Sequence, residues 1–574
     1  MQYAKVEVPS HVGLEAVLDK LRVLTLLSLA LTLPCCALPL SCPPAATSSV
    51  ESPKELRGHH GRLKVTLVLR NSLDAKGQMQ YCYLDQRGDR SPTLRLHPGD
   101  LLELKLKNKL TLRSNFGHED AAWKPDCTAM AMNVDATNLH FHGLSISPSC
   151  HADDSLHTFV PASKTFTYRF RIPQDQAPGL YWYHPHVHGY SEEQILGGAS
   201  GALIIEGIAN ANPEVAGLPE RVLVIRDQGL ESPMPNATIN DPRRPAKDLS
   251  VNFIPIPYPN YPVPIIAAKP GQRELWRVLN ASADTYVNLG VLFNGEWGKS
   301  GLVISHGSWQ QLGLVALDGE ALSNINGKTE IPIPPGGRAE FIITTPPEGM
   351  KAELITAGAE TSPPEDEDKP DAAPAALRDD DNTPPRPLAR IVSSASALEP
   401  PALREPRTIA ADSKAASLAA AAPVRQRRLY FSEKIIDHAH PQTSTIYYIT
   451  EEGHKPSAFD PSNLSPDIVV HQGDVEDWTV ENRSTESHVF HIHQSHFLLL
   501  ERDSVPVDEK LMLDTVDVPY WDGTFDRYPS VKLRMDFRDP NIAGTFPYHC
   551  HIQQHLDGGM MGIIQVLPAP SASR

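Results

Sequence analysis

Short runs in which apolar and polar residues alternate, separated by glycine and proline turns, fill most of the chain; Leu101 to Asn108 reads Leu-Leu-Glu-Leu-Lys-Leu-Lys-Asn. A period of two places alternate side chains on opposite faces of an extended backbone, so each run predicts a β-strand with one buried face. Helical periodicity is scarce. One run recurs: His97-Pro98-Gly99-Asp100, Lys269-Pro270-Gly271-Gln272 and His471-Gln472-Gly473-Asp474 are each followed by an alternating strand and an asparagine. That asparagine, Asn108, Asn280 or Asn482, stands nine residues after the glycine every time. A turn, a strand and a second turn at constant spacing imply three copies of one β unit. Short strands joined by Gly and Pro turns make that unit a sandwich or Greek-key barrel, so the fold is expected to be all-β.

With 574 residues the chain exceeds what one hydrophobic core organises, in keeping with several domains. Units are expected at 55–208, 209–359 and 425–574. Between the last two, 360–424 contains TSPPEDEDKPDAAPAALRDDDNTPPRPLAR, whose Pro, Ala and Asp content predicts a mobile linker. A formal charge of −17 argues against nucleic acid or an anionic membrane surface as a partner.

Residues 1–54 read as an export signal or anchor followed by a linker. Val23 to Cys42 is uncharged and Leu-rich, and Lys20 and Arg22 precede it, as in the apolar core of an export signal; Pro34 and Pro39 make it a poor spanning helix. Met1 to Lys20 is long for the first region of a signal, so translation begins later or the segment is retained as an anchor. No paired arginine precedes the run. An extracytoplasmic location, periplasmic or secreted, is expected, with membrane contact only through such an anchor.

The chemistry is written in four histidine segments: His140-Phe141-His142-Gly143, His184-Pro185-His186, His488-Val489-Phe490-His491-Ile492-His493, and Tyr548-His549-Cys550-His551-Ile552-Gln553-Gln554-His555 closed by Met560. On a strand, Cys550 points one way and His549 and His551 the other, so one strand can serve two metal centres. A thiolate, two imidazoles and a weak thioether form a blue-copper ligand set; Cys550, His555 and Met560 supply three of them, and the fourth must be a histidine from elsewhere. Gly179 precedes His184 by five residues as Gly544 precedes His549. By that offset Pro185 replaces Cys550, Tyr190 replaces His555 and Thr137 replaces His488. The middle copy has only His306 and no ligand motif.

In these four segments the chain resembles the multicopper oxidases, the family of laccases, ascorbate oxidases and bilirubin oxidases, whose signature reads H-x-H-G, H-x-H, H-x-x-H-x-H and H-C-H-x3-H-x4-M. The resemblance runs from about residue 55 to 567. It implies three cupredoxin-like Greek-key domains and four copper ions. One blue copper would be held by His488, Cys550 and His555 with Met560 axial. A three-copper cluster between the first and third domains would take His140 and His491 on a lone ion and His142, His184, His186, His493, His549 and His551 on a pair. Asp153 and Asp154, eleven and twelve residues beyond His142, stand where related oxidases carry an acid serving the cluster. A polar turn is their alternative role. Some relatives also carry an acid within or just after the last histidine segment; here Gln553, Gln554 and Leu556 occupy those positions. His151, His157, His188 and His496 lie near ligand segments but exceed the ligand count.

Three of the seven cysteines, Cys35, Cys36 and Cys42, fall in the N-terminal segment. Of Cys82, Cys127 and Cys150, one pair is expected to be bridged in an oxidising compartment. Cys127 with Cys150 would bracket the first histidine pair; three buried thiols is the alternative. The implied activity is a laccase-like oxidation of phenols or aromatic amines, one electron at a time, coupled to four-electron reduction of O2 to water by a monomer. A cuprous or other metal-ion oxidase is the second reading, lowered by ten methionines that form no dense cluster. A copper-free scaffold protein is the third, opposed by the intact ligand set.

Overall fold

The computed structural model describes residues 41–44, 48–111, 123–127, 134–230, 244–298, 301–303, 307–363, 383–403, 414–437, 444–524 and 526–569. The expected export segment up to residue 40 and His306 lie outside them.

The chain is nearly all β, and its sheets pair into three sandwiches of the cupredoxin type. In the first unit a five-stranded sheet that includes His140–His142 and Gly179–His184 faces a four-stranded sheet that includes Leu101–Asn108. Leu67, Leu104 and Phe166 from one layer meet Leu94, Phe141 and Leu203 from the other. The middle unit joins a seven-stranded and a six-stranded sheet, and the third unit a seven-stranded and a five-stranded sheet. The third core is built from Leu429, Trp478 and Leu533 against Phe490, Phe546 and Ile564.

The three repeated segments are the strands Leu101–Asn108, Arg273–Asn280 and Val475–Asn482, each flanked by one parallel and one antiparallel neighbour. Their terminal asparagines do the same work in all three. Asn108 Nδ2 donates to Asp135 O and Val160 O (2.7 and 2.8 Å), Asn280 Nδ2 to Thr285 O and Ile333 O (2.9 Å each), and Asn482 Nδ2 to Glu486 O and Pro519 O (2.7 and 2.9 Å). Each Oδ1 also accepts from the main-chain N–H two residues on. One buried amide thus satisfies several main-chain groups where the strand ends.

The stretch 360–424, expected to be a linker, contains ordered elements. Arg386–Ser393 is a strand of the middle unit, antiparallel to Ala352–Thr356 and parallel to Ile265–Ala268, and Lys414–Ala420 is a helix whose Leu418 packs on Val475, Leu498 and Met512. Averaging over the Pro- and Asp-rich residues before it hid the apolar pattern of Leu388, Ala389 and Ile391. Cys127 and Cys150 are bridged, and Cys42, counted with the N-terminal segment on sequence, is bridged to Cys82. Among the described residues no helix is long and apolar enough to cross a membrane.

Candidate metal centres

The strand His140–His142 pairs antiparallel with Gly179–His184 so that His140 lies opposite His184; His488–Ile492 pairs with Gly544–Cys550 so that His491 lies opposite His549. The two strand pairs are the copies aligned by spacing, and they face one another. His140 stacks on His493 with ring centroids 3.7 Å apart, and His142 on His491 at 3.9 Å. Reciprocal contacts of this kind are those of a pseudo-two-fold axis. On that axis His186 and His493 each bring Nε2 to 3.2 Å from His549 Nε2, and His184 meets His551 edge to face. Eight buried imidazoles therefore enclose one volume.

The donor chemistry fits a cation. His140, His184, His491 and His551 have an Nε2, and His142 an Nδ1, with no hydrogen-bond partner despite burial. A buried polar atom left unsatisfied costs about 1–3 kcal/mol, so five around one volume indicate a shared electrophilic partner. The opposite nitrogens are engaged: Nδ1–H of His184 donates to Pro185 O (2.9 Å), of His549 to Cys550 O (2.8 Å), of His491 to Asp514 O (2.7 Å) and of His140 to Asp153 Oδ2 (2.9 Å). Each donation fixes the tautomer whose Nε2 lone pair a metal requires. Burial also drives His142, His184, His186, His491, His493 and His551 well below the usual histidine range and His549 to about 3, which keeps the rings neutral.

The second centre lies across the strand. His488 Nδ1 and His555 Nδ1 are 2.9 Å apart, and each is 3.7 Å from Cys550 Sγ. Ser484 Oγ holds His488 Nε2 at 2.7 Å, and Tyr447 stacks on His555 at 4.3 Å. Met560 is fully buried, and its main chain bonds both Cys550 N and His555 O. For His555, burial favours the neutral ring, but the Cys550 sulfur and the Glu486 carboxylate, 3.2 Å from Nε2, hold its pKa up.

Asp153 is buried, pairs with His140 as given above and accepts from Phe141 N (3.0 Å). Asp154 turns to His157 Nδ1 (2.9 Å) and to no histidine of the cluster. His151 bonds Thr167 O (2.8 Å), His188 packs on Phe459, and His496 bonds Asp318 O (3.1 Å). Residues without a motif also reach the cluster. Asp514 groups with His142 and His491, but Arg338 engages both of its oxygens and, against the effect of burial, keeps it ionised. Gly336 lies against His551: a Cβ there would fall 2.7 Å from the ring, at a φ of +86° that already favours glycine.

A cupredoxin-type array with one Cys/His/His centre and one all-histidine cage defines a copper protein with two kinds of site. Two multicopper oxidase family models match, at residues 131–210 and 438–570. The multicopper oxidase mco of Staphylococcus epidermidis is 26% identical over 484 residues, 83% of this chain and 81% of that protein. Among solved structures, the Campylobacter jejuni multicopper oxidase, described as a metallo-oxidase, superposes with a TM-score of 0.62 at 23% identity, over 92% of this chain and 96% of that one. The laccase-like CueO of an Ochrobactrum species gives 0.59 at 19% identity, over 90% and 100%. The chain belongs to the multicopper oxidases, copper-binding oxidoreductases that use O2.

Proposed function

We propose that this chain oxidises small one-electron donors, phenols or aromatic amines, at the Cys550 centre and reduces O2 to water at the histidine cage. His488, Cys550, His555 and Met560 would hold one copper. His140 and His491 would hold a second, and His142, His184, His186, His493, His549 and His551 the remaining two. Bound copper supplies a reversible one-electron couple at each position, and four such ions match the four electrons that O2 takes. The observation that carries this reading is Gly544–Cys550 itself. Its Cys550 joins His488 and His555, while its His549 and the adjacent His551 join the cage, giving electrons a covalent path between the centres. Asp153 is the candidate to hold or move a proton beside His140, because its carboxylate touches that ring; Asp154 has no such contact. Two disulfides suit an oxidising, extracytoplasmic compartment.

A second reading, a cationic metal donor, is favoured by one local feature. Glu486, 31% exposed, sits on His555 Nε2, and burial together with the Glu486 charge pushes the neighbouring Glu433 up to about 7, so two carboxyl groups adjoin this ring and a cation beside them would favour ionising both. Steady-state rates with a phenol and with Cu(I), on copper-loaded parent and Glu486→Gln, separate the two. A selective loss of Cu(I) oxidation favours the metal donor, and an unchanged Cu(I) rate with fast phenol turnover favours the organic one. For Asp153, stopped-flow reoxidation of Asp153→Asn should slow while anaerobic reduction keeps its rate. Normal reoxidation would place the proton source elsewhere.

A further inference from the structure

Every nitrogen that the cage leaves unpartnered is an Nε2 except one, the Nδ1 of His142. The cause lies on the ring's other side. His142 Nε2 is 3.0 Å from Asp514 Oδ1 and 3.3 Å from Thr515 Oγ1, and that hydroxyl itself donates to Asp514 Oδ1 (2.8 Å). Asp514 is in turn clamped by the buried Arg338 of the middle unit, whose Nη1 and Nη2 reach Oδ1 and Oδ2 at 2.7 and 2.6 Å. The guanidinium also reaches main-chain carbonyls, Leu180 O (3.2 Å) in the first unit and Gly336 O (3.2 Å) and Asp318 O (2.9 Å) in the middle one, and its Nη1 lies 3.4 Å from Asp318 Oδ1. One side chain therefore bonds all three units. The glycine of His140-Phe141-His142-Gly143 makes room for it, since a Cβ at Gly143 would stand 2.6 Å from both Arg338 Nη2 and Asp514 Oδ2, at a φ of +87°.

We propose that Arg338 is a positioning residue for the cage: by clamping Asp514 it fixes His142 in the tautomer that offers Nδ1, and a unit without a single ligand thereby governs copper retention and O2 reduction. The inference rests on the reading that the cage holds copper. A planar fork satisfies two carboxylate oxygens at once, which lysine cannot do, so charge alone is not enough. Arg338 and Thr515 also line a cavity of about 630 Å3 at the seam of the middle and third units, together with Asp318, Leu314 and Val516. A guanidinium ion from solution thus has a route to the space that a truncated Arg338 leaves.

The test compares copper-loaded parent, Arg338→Ala and Arg338→Lys. Total copper under chelator competition reports the cage, the blue absorbance of the Cys550 centre serves as the internal control, and reoxidation by O2 follows anaerobic reduction. Loss of a partner behind a ligand histidine weakens metal binding about 10–100-fold. Arg338→Ala should show that loss for the cage copper together with slower reoxidation, at unchanged blue absorbance, and Arg338→Lys should recover only part. Millimolar guanidinium should restore Arg338→Ala, and an equal concentration of ammonium should not. Unchanged cage copper, or loss of both centres together without rescue, overturns the proposal, because the second pattern is that of a merely structural prop. If Arg338→Ala does not fold, Gly143→Ala crowds the same ion pair and decides by the same readouts. A parent chain that retains only the blue ion refutes the copper-cage reading itself, whereas a fully loaded parent indistinguishable from Arg338→Ala refutes this inference alone.

Discussion

Removing copper should make this protein acid-labile in a defined window. Burial depresses His142, His184, His186, His488, His491, His493 and His551 well below the usual value, and His549 to about 3. In the unfolded chain each returns to about 6.5. A base whose folded pKa is lowered contributes stability that is complete above the unfolded value and is lost as pH falls below it, because the unfolded state then binds protons that the folded state refuses. Each group costs about 1.4 kcal/mol per pH unit. At pH 5.5 the eight together therefore cost on the order of 10 kcal/mol, comparable with the whole stability of a domain. His555 has the opposite sign, since its raised pKa adds stability at low pH that is lost as pH rises, but it is one group against eight. Bound copper occupies the same lone pairs and should remove most of the effect. Urea midpoints of copper-free and copper-loaded chains at pH 7.5 and 5.5 test this. A copper-free midpoint that does not move between those values would refute the assignment of neutral, buried rings.

Four further outcomes are expected. Cys550→Ser should abolish the blue colour and donor oxidation while leaving much of the cage copper bound; a blue, active variant would contradict the centre assigned here. Gly336→Ala, whose Cβ would press on the His551 ring at 2.7 Å, should slow reoxidation by O2 and leave the blue absorbance intact. Met560→Leu should raise the potential of the blue centre, as a redox titration would record. Opening the Cys42–Cys82 bridge, which spans a separation of 40 residues, should cost about 4 kcal/mol in chemical unfolding, by the loop-entropy estimate.

The alternating pattern identified the three sandwiches because each repeated strand keeps one face in a core, and the histidine pairs that gather at the two centres were legible because a strand puts residues two apart on one face. Thr137 shows how far spacing reached: where the third unit has His488, the first has a hydroxyl bonded to Gln194 Oε1 at 2.9 Å. Arg338, Gly336, Asp514 and Glu486 were not legible, because each acts on a histidine supplied by another segment and has no local pattern of its own. Asp153 and Asp154 were equivalent by spacing; only the direction of their side chains separates them. Cys42 was misplaced because an apolar leader and a structural cysteine can adjoin, and Arg386–Ser393 because its neighbours dominate any compositional window.

The cage has a consequence for the order of biosynthesis. His186 and His549, whose rings touch, are 363 residues apart. At ribosomal rates of about 5–20 residues per second, the first four cage histidines leave the ribosome roughly 20–70 s before the last two. For most of that interval, until His491 and His493 emerge, they are half of a binding site, with paired imidazoles but no opposing set. A half-site of this kind can capture whichever divalent ion is abundant, and divalent ions rank by affinity in an order that the protein does not control. Metal that arrives after the third unit has closed on the first meets the complete cage instead. The topology thus favours exposure to copper only once the two distant halves of the cage have met.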